Sequence, residues 1–167
     1  IPSDLLFLRY SLQKIVAISQ NAFTTEDYTF KISNANYLTI EVTRRKQFNI
    51  SYLLGKLSTL EVVHMDICKL FDDLKYFKID FSTKVNPEEV LHIKEILRDS
   101  FDETKKSTLT VPVIGKDELK IDCEHSKTYA VMYLNCKDQK GLLAYVIKLF
   151  DEMGIDIATA KIHTLKR

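Results

Sequence analysis

The stretch "NCKDQKGLL", residues 135–143, holds the residue types that can grip a small zwitterion. A glycine at the head of a helix lets backbone approach a ligand. The first free N–H groups of that helix then point at a carboxylate, helped by the helix dipole. Asp138 can pair with an amino group through a charge-assisted bond. Asn135, Asp138, Gln139, Lys140, Gly141 and Leu142 are therefore the candidate ligand-binding residues. A plainer reading stands beside this one: Gly141 accommodates a turn and Asp138 caps the helix.

Other chemistry is weaker. The four histidines, His64, His92, His125 and His163, show no metal spacing, and the pairs His64/Cys68 and Cys123/His125 lack second partners. No Ser–His–Asp or Cys–His arrangement emerges, so no catalytic residue, metal or cofactor is assigned. "KYFKIDF" (75–81) matches part of an RNA-stacking pattern through Lys75, Phe77 and Phe81. Tyr76 stands where that pattern wants glycine and Ile79 where it wants an aromatic, so core or interface aromatics are expected. Arg44, Arg45 and Lys46 read as a solvated strand end, with a partner-protein contact as the alternative.

Charge and composition narrow the classes further. Lys and Arg number 24 against 23 Asp and Glu, a net charge of +1, so no basic surplus exists for coating nucleic acid or an anionic membrane. Three widely spaced cysteines without a CxxC suggest free thiols in a reducing cytoplasm. No apolar run approaches the ~20 residues of a membrane span, and no signal peptide is evident. At 167 residues, one domain or two small ones fit.

The elements that would position the loop follow from periodicity. Residues 3–22 read as helical, with Ser3 and Asp4 capping a short turn and Ser11 capping a second helix whose Leu12, Ile15, Val16 and Ile18 share a face. "YTFKIS" (28–33) alternates weakly, and "YLTIEVTR" (37–44) resumes as a strand. Ile50, Leu53, Leu54, Leu57 and Leu60 fall at helical spacing, capped by Asn49 or Ser51. Two strands, from Val63 and from Leu74, flank an acidic turn at Asp72 and Asp73, a hairpin. Asn86, Pro87, Glu88 and Glu89 start a helix whose Val90, Ile93, Leu97 and Phe101 are the buried stripe. "LTVPVIG" (109–115) is expected as a last, edge strand because of Pro112. From residue 37 the order is strand, helix, strand, strand, helix, strand: an α+β, ferredoxin-like split βαβ unit.

The pattern then restarts with strands at 118–124 and 129–135, a helix, and a strand at 155–165. Tyr37 matches Tyr129 at an offset of about 92 residues; Met65 and Ile67 fall opposite Ala160 and Ile162 at about 95. The division expected is a helical linker with a leading strand (1–35), a first repeat (36–116) and half of a second (117–167). The chain opens on Ile1 and the second copy stops after Leu165. The expectation is thus an excised piece, with a second repeat truncated before its third strand, second helix and fourth strand.

Asp138, Gly141, Leu142 and Leu143, then Met153, Gly154, Ile155, Asp156 and Ile157, then Ala160, Lys161 and Ile162 resemble an ACT domain. More narrowly they resemble the last ACT repeat of the bacterial PII uridylyltransferase/uridylyl-removing enzymes. "PSDLLFLRYSLQKI" resembles the bridge from that family's catalytic region, so the likeness covers nearly the whole chain. Gln139 and Lys140 stand where the family usually has Arg and Pro. The resemblance implies tandem ACT repeats that sense an amino acid, glutamine, for a cytoplasmic nucleotidyltransferase acting on the PII signalling protein. Neither catalytic signature of that family is here, so the chain is expected to be a non-catalytic regulatory region, with homo-oligomers possible and no membrane or nucleic-acid partner. The alternatives are an interaction module that binds nothing small and, less favoured, an RNA-binding split βαβ domain.

Overall fold

The computed structural model describes residues 10–45, 47–107, 109–124, 127–137, 139 and 141–163. Helix α1 (Leu12–Thr24) begins at Ser11, whose hydroxyl accepts the Lys14 N–H at 3.3 Å. Ile15, Ile18 and Ala22 are its buried stripe; Leu12 and Val16, expected on that face, flank it and meet solvent. The expected caps at Ser3 and Asp4 lie outside the described residues. Strands β1 (Tyr28–Ser33) and β2 (Thr39–Arg44) form an antiparallel hairpin. Helix α2 (Ile50–Lys56) is capped by Asn49, whose carboxamide oxygen accepts the Tyr52 N–H at 3.0 Å. A second hairpin, β3 (Val62–Lys69) and β4 (Lys75–Phe81), turns through Asp72, held at φ 51°, a conformation Asp tolerates better than most residues. Helix α3 (Pro87–Asp99) starts on Asn86, which accepts the Glu89 N–H at 2.8 Å.

Beyond α3 come β5 (Leu119–Asp122), β6 (Val131–Leu134), α4 (Leu142–Glu152) and β7 (Thr159–His163). Five strands form one sheet in the order β1-β2-β4-β3-β7, with every pairing antiparallel. Strands β5 and β6 make a separate two-stranded sheet. The architecture is α+β.

One expected strand is absent: residues 109–115 carry no ladder. Pro112 has no N–H to give one, and the position beside β2 is taken by β1, which arrives through a short local hairpin.

Alternation along the strands separates two cores. Ile40, Val42, Met65, Ile67, Phe77 and Ile79 face the same side, beneath Leu53, Leu54 and Leu57 near α2 and Ile93, Ile96 and Leu97 of α3. Both helices of the first repeat therefore cover one face, as a split βαβ order requires. Fully burying a side chain such as Leu53 or Leu97 contributes about 1.5–3 kcal/mol. Cys68 and Tyr76, one residue out of phase with Ile67 and Phe77, point to the opposite face and meet Ile15, Ile18 and Ala22 of α1.

The segment after α3 joins the sheet through β7 and α4. Met65 pairs with Ile162 and Ile67 with Ala160. Ala144 and Ile147 of α4 enter the core that contains α2, and the two helices pack side by side.

Candidate functional site

Alternation that buries Ile40 and Val42 brings Arg44 to the same face at the end of β2. Directly across the ladder stands Lys75 of β4. Two cations opposite one another on adjacent strands repel, and two carboxylates answer them from the segment after α3. Asp151 comes from the last turns of α4, and Asp156 from the loop between α4 and β7. Lys75 is ion-paired to Asp156, and Lys69 approaches the same carboxylate at 3.9 Å. The Lys75 hydrogen bond is the main reason Asp156 is held below the usual carboxylate range.

Between these charges lies a cleft of about 260 Å³. Phe48, Ile67, Phe77 and Ile147 supply its apolar surface; Gln47 and the turn from Gly154 to Ile157 complete its rim. Gly154 sits at φ 67°, where a side chain is disfavoured, and this sharp turn carries Asp156 back toward Lys75. Drug-sized pockets run from roughly 300 to 1,000 Å³, so the cleft suits a small metabolite.

Its charges are unequal in commitment. Asp156 is already occupied by Lys75. Arg44 and Asp151 attract each other across the cleft without closing an ion pair. Burial lowers the Arg44 pKa, a change opposed by Asp151, Asp156 and Asp73. Burial likewise raises the Asp151 carboxyl, opposed by Arg44 and Lys75. The Arg44 Nε is buried without a hydrogen-bond partner among the described residues. The guanidinium lies 5.9 Å from the centre of the Phe77 ring, which stacks beneath it. Arg44 thus lines the cleft with a cationic guanidinium, a group that a carboxylate can pair with.

The loop singled out by sequence has a different character. Asn135 donates its backbone N–H to Glu118 O at 2.9 Å. Gln139 is engaged at both ends of its carboxamide: Oε1 accepts the Val113 N–H at 2.9 Å and Nε2 donates to Val113 O at 2.6 Å. Gly141 precedes α4 at φ 79°, and a Cβ there would meet nothing within 4 Å. The glycine is thus explained by backbone conformation. Leu142 opens the helix, its N–H bonded to Gln139 O at 3.1 Å. Asp138 and Lys140 lie outside the described residues.

Phe77 and Phe81, part of the stacking pattern, are 6% and 1% exposed, buried beneath helices, so β4 offers no platform of aromatics for bases on that face. Among the described residues no group of three His, Cys, Asp or Glu side chains is arranged for a metal ion. No helix among them is long and apolar enough to cross a membrane. Sequence reasoning missed the cleft because Arg44 and Asp151 lie over a hundred positions apart. The available signal was the repeat itself, which aligns residues 44–50 with the favoured loop. No family model matches the chain, and neither a curated protein nor a solved structure does.

Proposed function

We propose that this chain is an amino-acid-sensing regulatory region built from two ACT-like, ferredoxin-like repeats, serving a nucleotidyltransferase of the PII uridylyltransferase type in the cytoplasm. The observation that carries the reading is the opposition of Arg44 and Asp151 across a small cleft where the two repeats would meet. A free amino acid presents a carboxylate and an ammonium a short distance apart. Arg44 answers the first through its guanidinium, Asp151 answers the second, and the apolar surface takes the side-chain stem. L-Glutamine is the ligand proposed, on the resemblance of the second repeat. This places the binding residues at 44–50 and 147–157, with the loop at 135–142 in a second, related corner.

Because each repeat supplies one of the two charges, occupancy of the cleft ties the repeats together. That gives a binding event a mechanical consequence, which a region regulating catalytic domains and a PII-type partner requires. A second reading has its own support: the Lys75–Asp156 pair shows that charges at the seam can neutralise one another without a ligand. On that reading the region is a purely structural interaction module. Titrating the protein with L-glutamine while following backbone amide shifts separates the two. Shifts concentrated at 44–50 and 147–157, abolished in R44A, support sensing. Absence of shifts there with every common amino acid at millimolar concentration leaves the structural reading.

A further inference from the structure

We propose that Asp156 is a built-in stand-in for the ligand's carboxylate: by occupying Lys75 it latches the cleft, and an incoming amino acid must displace it. The proposal rests on the amino-acid reading above and adds to it an autoinhibitory contact within the same cleft.

The latch follows from one rung of the sheet. Arg44 of β2 stands opposite Lys75 of β4, and Lys75 stands opposite Lys69 of β3, so three cations lie side by side at the end of the ladder. Residues directly opposite on adjacent strands have Cβ atoms about 5 Å apart. A carboxylate brought to Arg44 is therefore within reach of Lys75 as well. Among the described residues, Asp156 is the one carboxylate ion-paired to any of the three: it holds Lys75 and approaches Lys69 at 3.9 Å. Lys75 and Asp156 both line the cleft, together with Arg44. The internal carboxylate and the ligand's carboxylate thus compete for adjoining cations.

The two partners of the pair are unequal. The Lys75 side chain is 14% exposed and that of Asp156 61%. A cation so covered calls for a carboxylate close by. The aspartate loses little by turning out to water, since an exposed ion pair amounts to no more than about a fivefold bias. Its turn permits that movement. At the α4 end, Gly154 N–H donates to Asp151 O at 3.1 Å and Ile155 N–H to Phe150 O at 2.9 Å. At the β7 end, Lys69 N–H donates to Ala158 O at 3.0 Å. Between these fastenings lie Asp156 and Ile157; Ile157 packs on the core, and the carboxylate draws Asp156 over Lys75. Release of Asp156 therefore moves a short stretch of backbone and leaves α4 and β7 in place. Charge at Lys75 is conserved in the exchange, because one carboxylate leaves as another arrives.

The test measures L-glutamine affinity of the full chain by titration at one pH and ionic strength. The proteins compared are the unaltered chain, D156N, K75Q and the D156N/K75Q double variant, with D156S as a second way of removing the carboxylate. Asp156→Asn and Asp156→Ser leave Lys75 free and should tighten binding about two- to fivefold. Lys75→Gln should weaken it, and in the K75Q background D156N should bring no gain. Amides of residues 155–157 should shift when the unaltered protein binds and stay still when D156N, already released, binds. Affinity of D156N and D156S equal to or below that of the unaltered protein overturns the latch and leaves the sensing assignment standing. A gain undiminished by K75Q does the same. Binding by D156N where the unaltered protein shows none supports the latch in its tightest form. Absence of binding by both removes the sensing assignment, and the latch with it.

Discussion

Asp66 of β3 stands directly opposite Lys161 of β7, an acid facing a base across the ladder that joins the two strands. Register is tightly fixed here. A slip of one residue would move Ala160 and Ile162 from the covered face to the other. It would also shift the turn after α4, and with it Asp156, away from Lys75. The seam that builds the cleft is thus set by apolar alternation in two short strands.

The helix side of the seam is tested at Ala144, which is 2% exposed. Ala144, Ile147 and Asp151 lie three and four residues apart on one face of α4. An Ala144→Leu change adds volume where the helix meets the core. It should destabilise the protein by about 1–3 kcal/mol, read as a lowered urea midpoint. Because the same face carries two cleft residues, L-glutamine affinity should fall with it. A stable A144L variant of unchanged affinity would show that α4 does not set the cleft.

On the other face of the sheet, Glu41 accepts hydrogen bonds from Lys14 and Tyr76. Burial raises the Glu41 carboxyl, but these two bonds and the charges of Lys14 and Lys31 together outweigh it and leave the group below its usual value of 4.5. A carboxyl lowered on folding stabilises the fold above its unfolded pKa, and that contribution is lost as pH falls through the folded one. Glu41→Gln should therefore cost roughly 1–3 kcal/mol near neutrality. The difference from the unaltered protein should shrink as pH drops below the ordinary glutamate range. Parallel pH–stability curves would remove Glu41 from the account.

Asp151 has the opposite sign. Its carboxyl is raised, mainly by burial, so its contribution favours the folded state at low pH and is lost as pH rises through the folded pKa. Removing the charge with Asp151→Asn should leave neutral-pH stability equal or slightly higher while weakening L-glutamine binding at least tenfold. Thermal melts and titrations on the same sample check both halves. Loss of stability together with retained binding would mean that the carboxylate serves Arg44 and no ligand.

Much of this arrangement could be read in the residues. Ser11, Asn49 and Asn86 cap the helices expected of them, and the hairpin at Asp72 follows from local pattern. What escaped depends on competition between distant segments. Residues 109–115 alternate like a strand, yet β1 reaches the place beside β2 first through a short hairpin, and Pro112 cannot bond a ladder. The cleft escaped for a related reason. Arg44 and Asp151 carry no local signature, and only the pairing of β3 with β7 brings their elements together.

Gly141 separates two explanations of the loop that sequence alone left open. It adopts φ 79° with free space around an added Cβ, so conformation and ligand approach make different demands. Gly141→Ala should cost about 1–2 kcal/mol, the penalty of a left-handed backbone for an ordinary residue. Asn tolerates that region better, so Gly141→Asn should recover most of the loss. If the glycine serves only the turn into α4, G141N will also bind L-glutamine at the Arg44 corner as the unaltered protein does. If it serves close approach of a ligand, G141N will fold normally and bind L-glutamine more weakly. Denaturation curves and titrations on the two variants decide between them, and a G141A variant of unchanged stability would remove the conformational explanation.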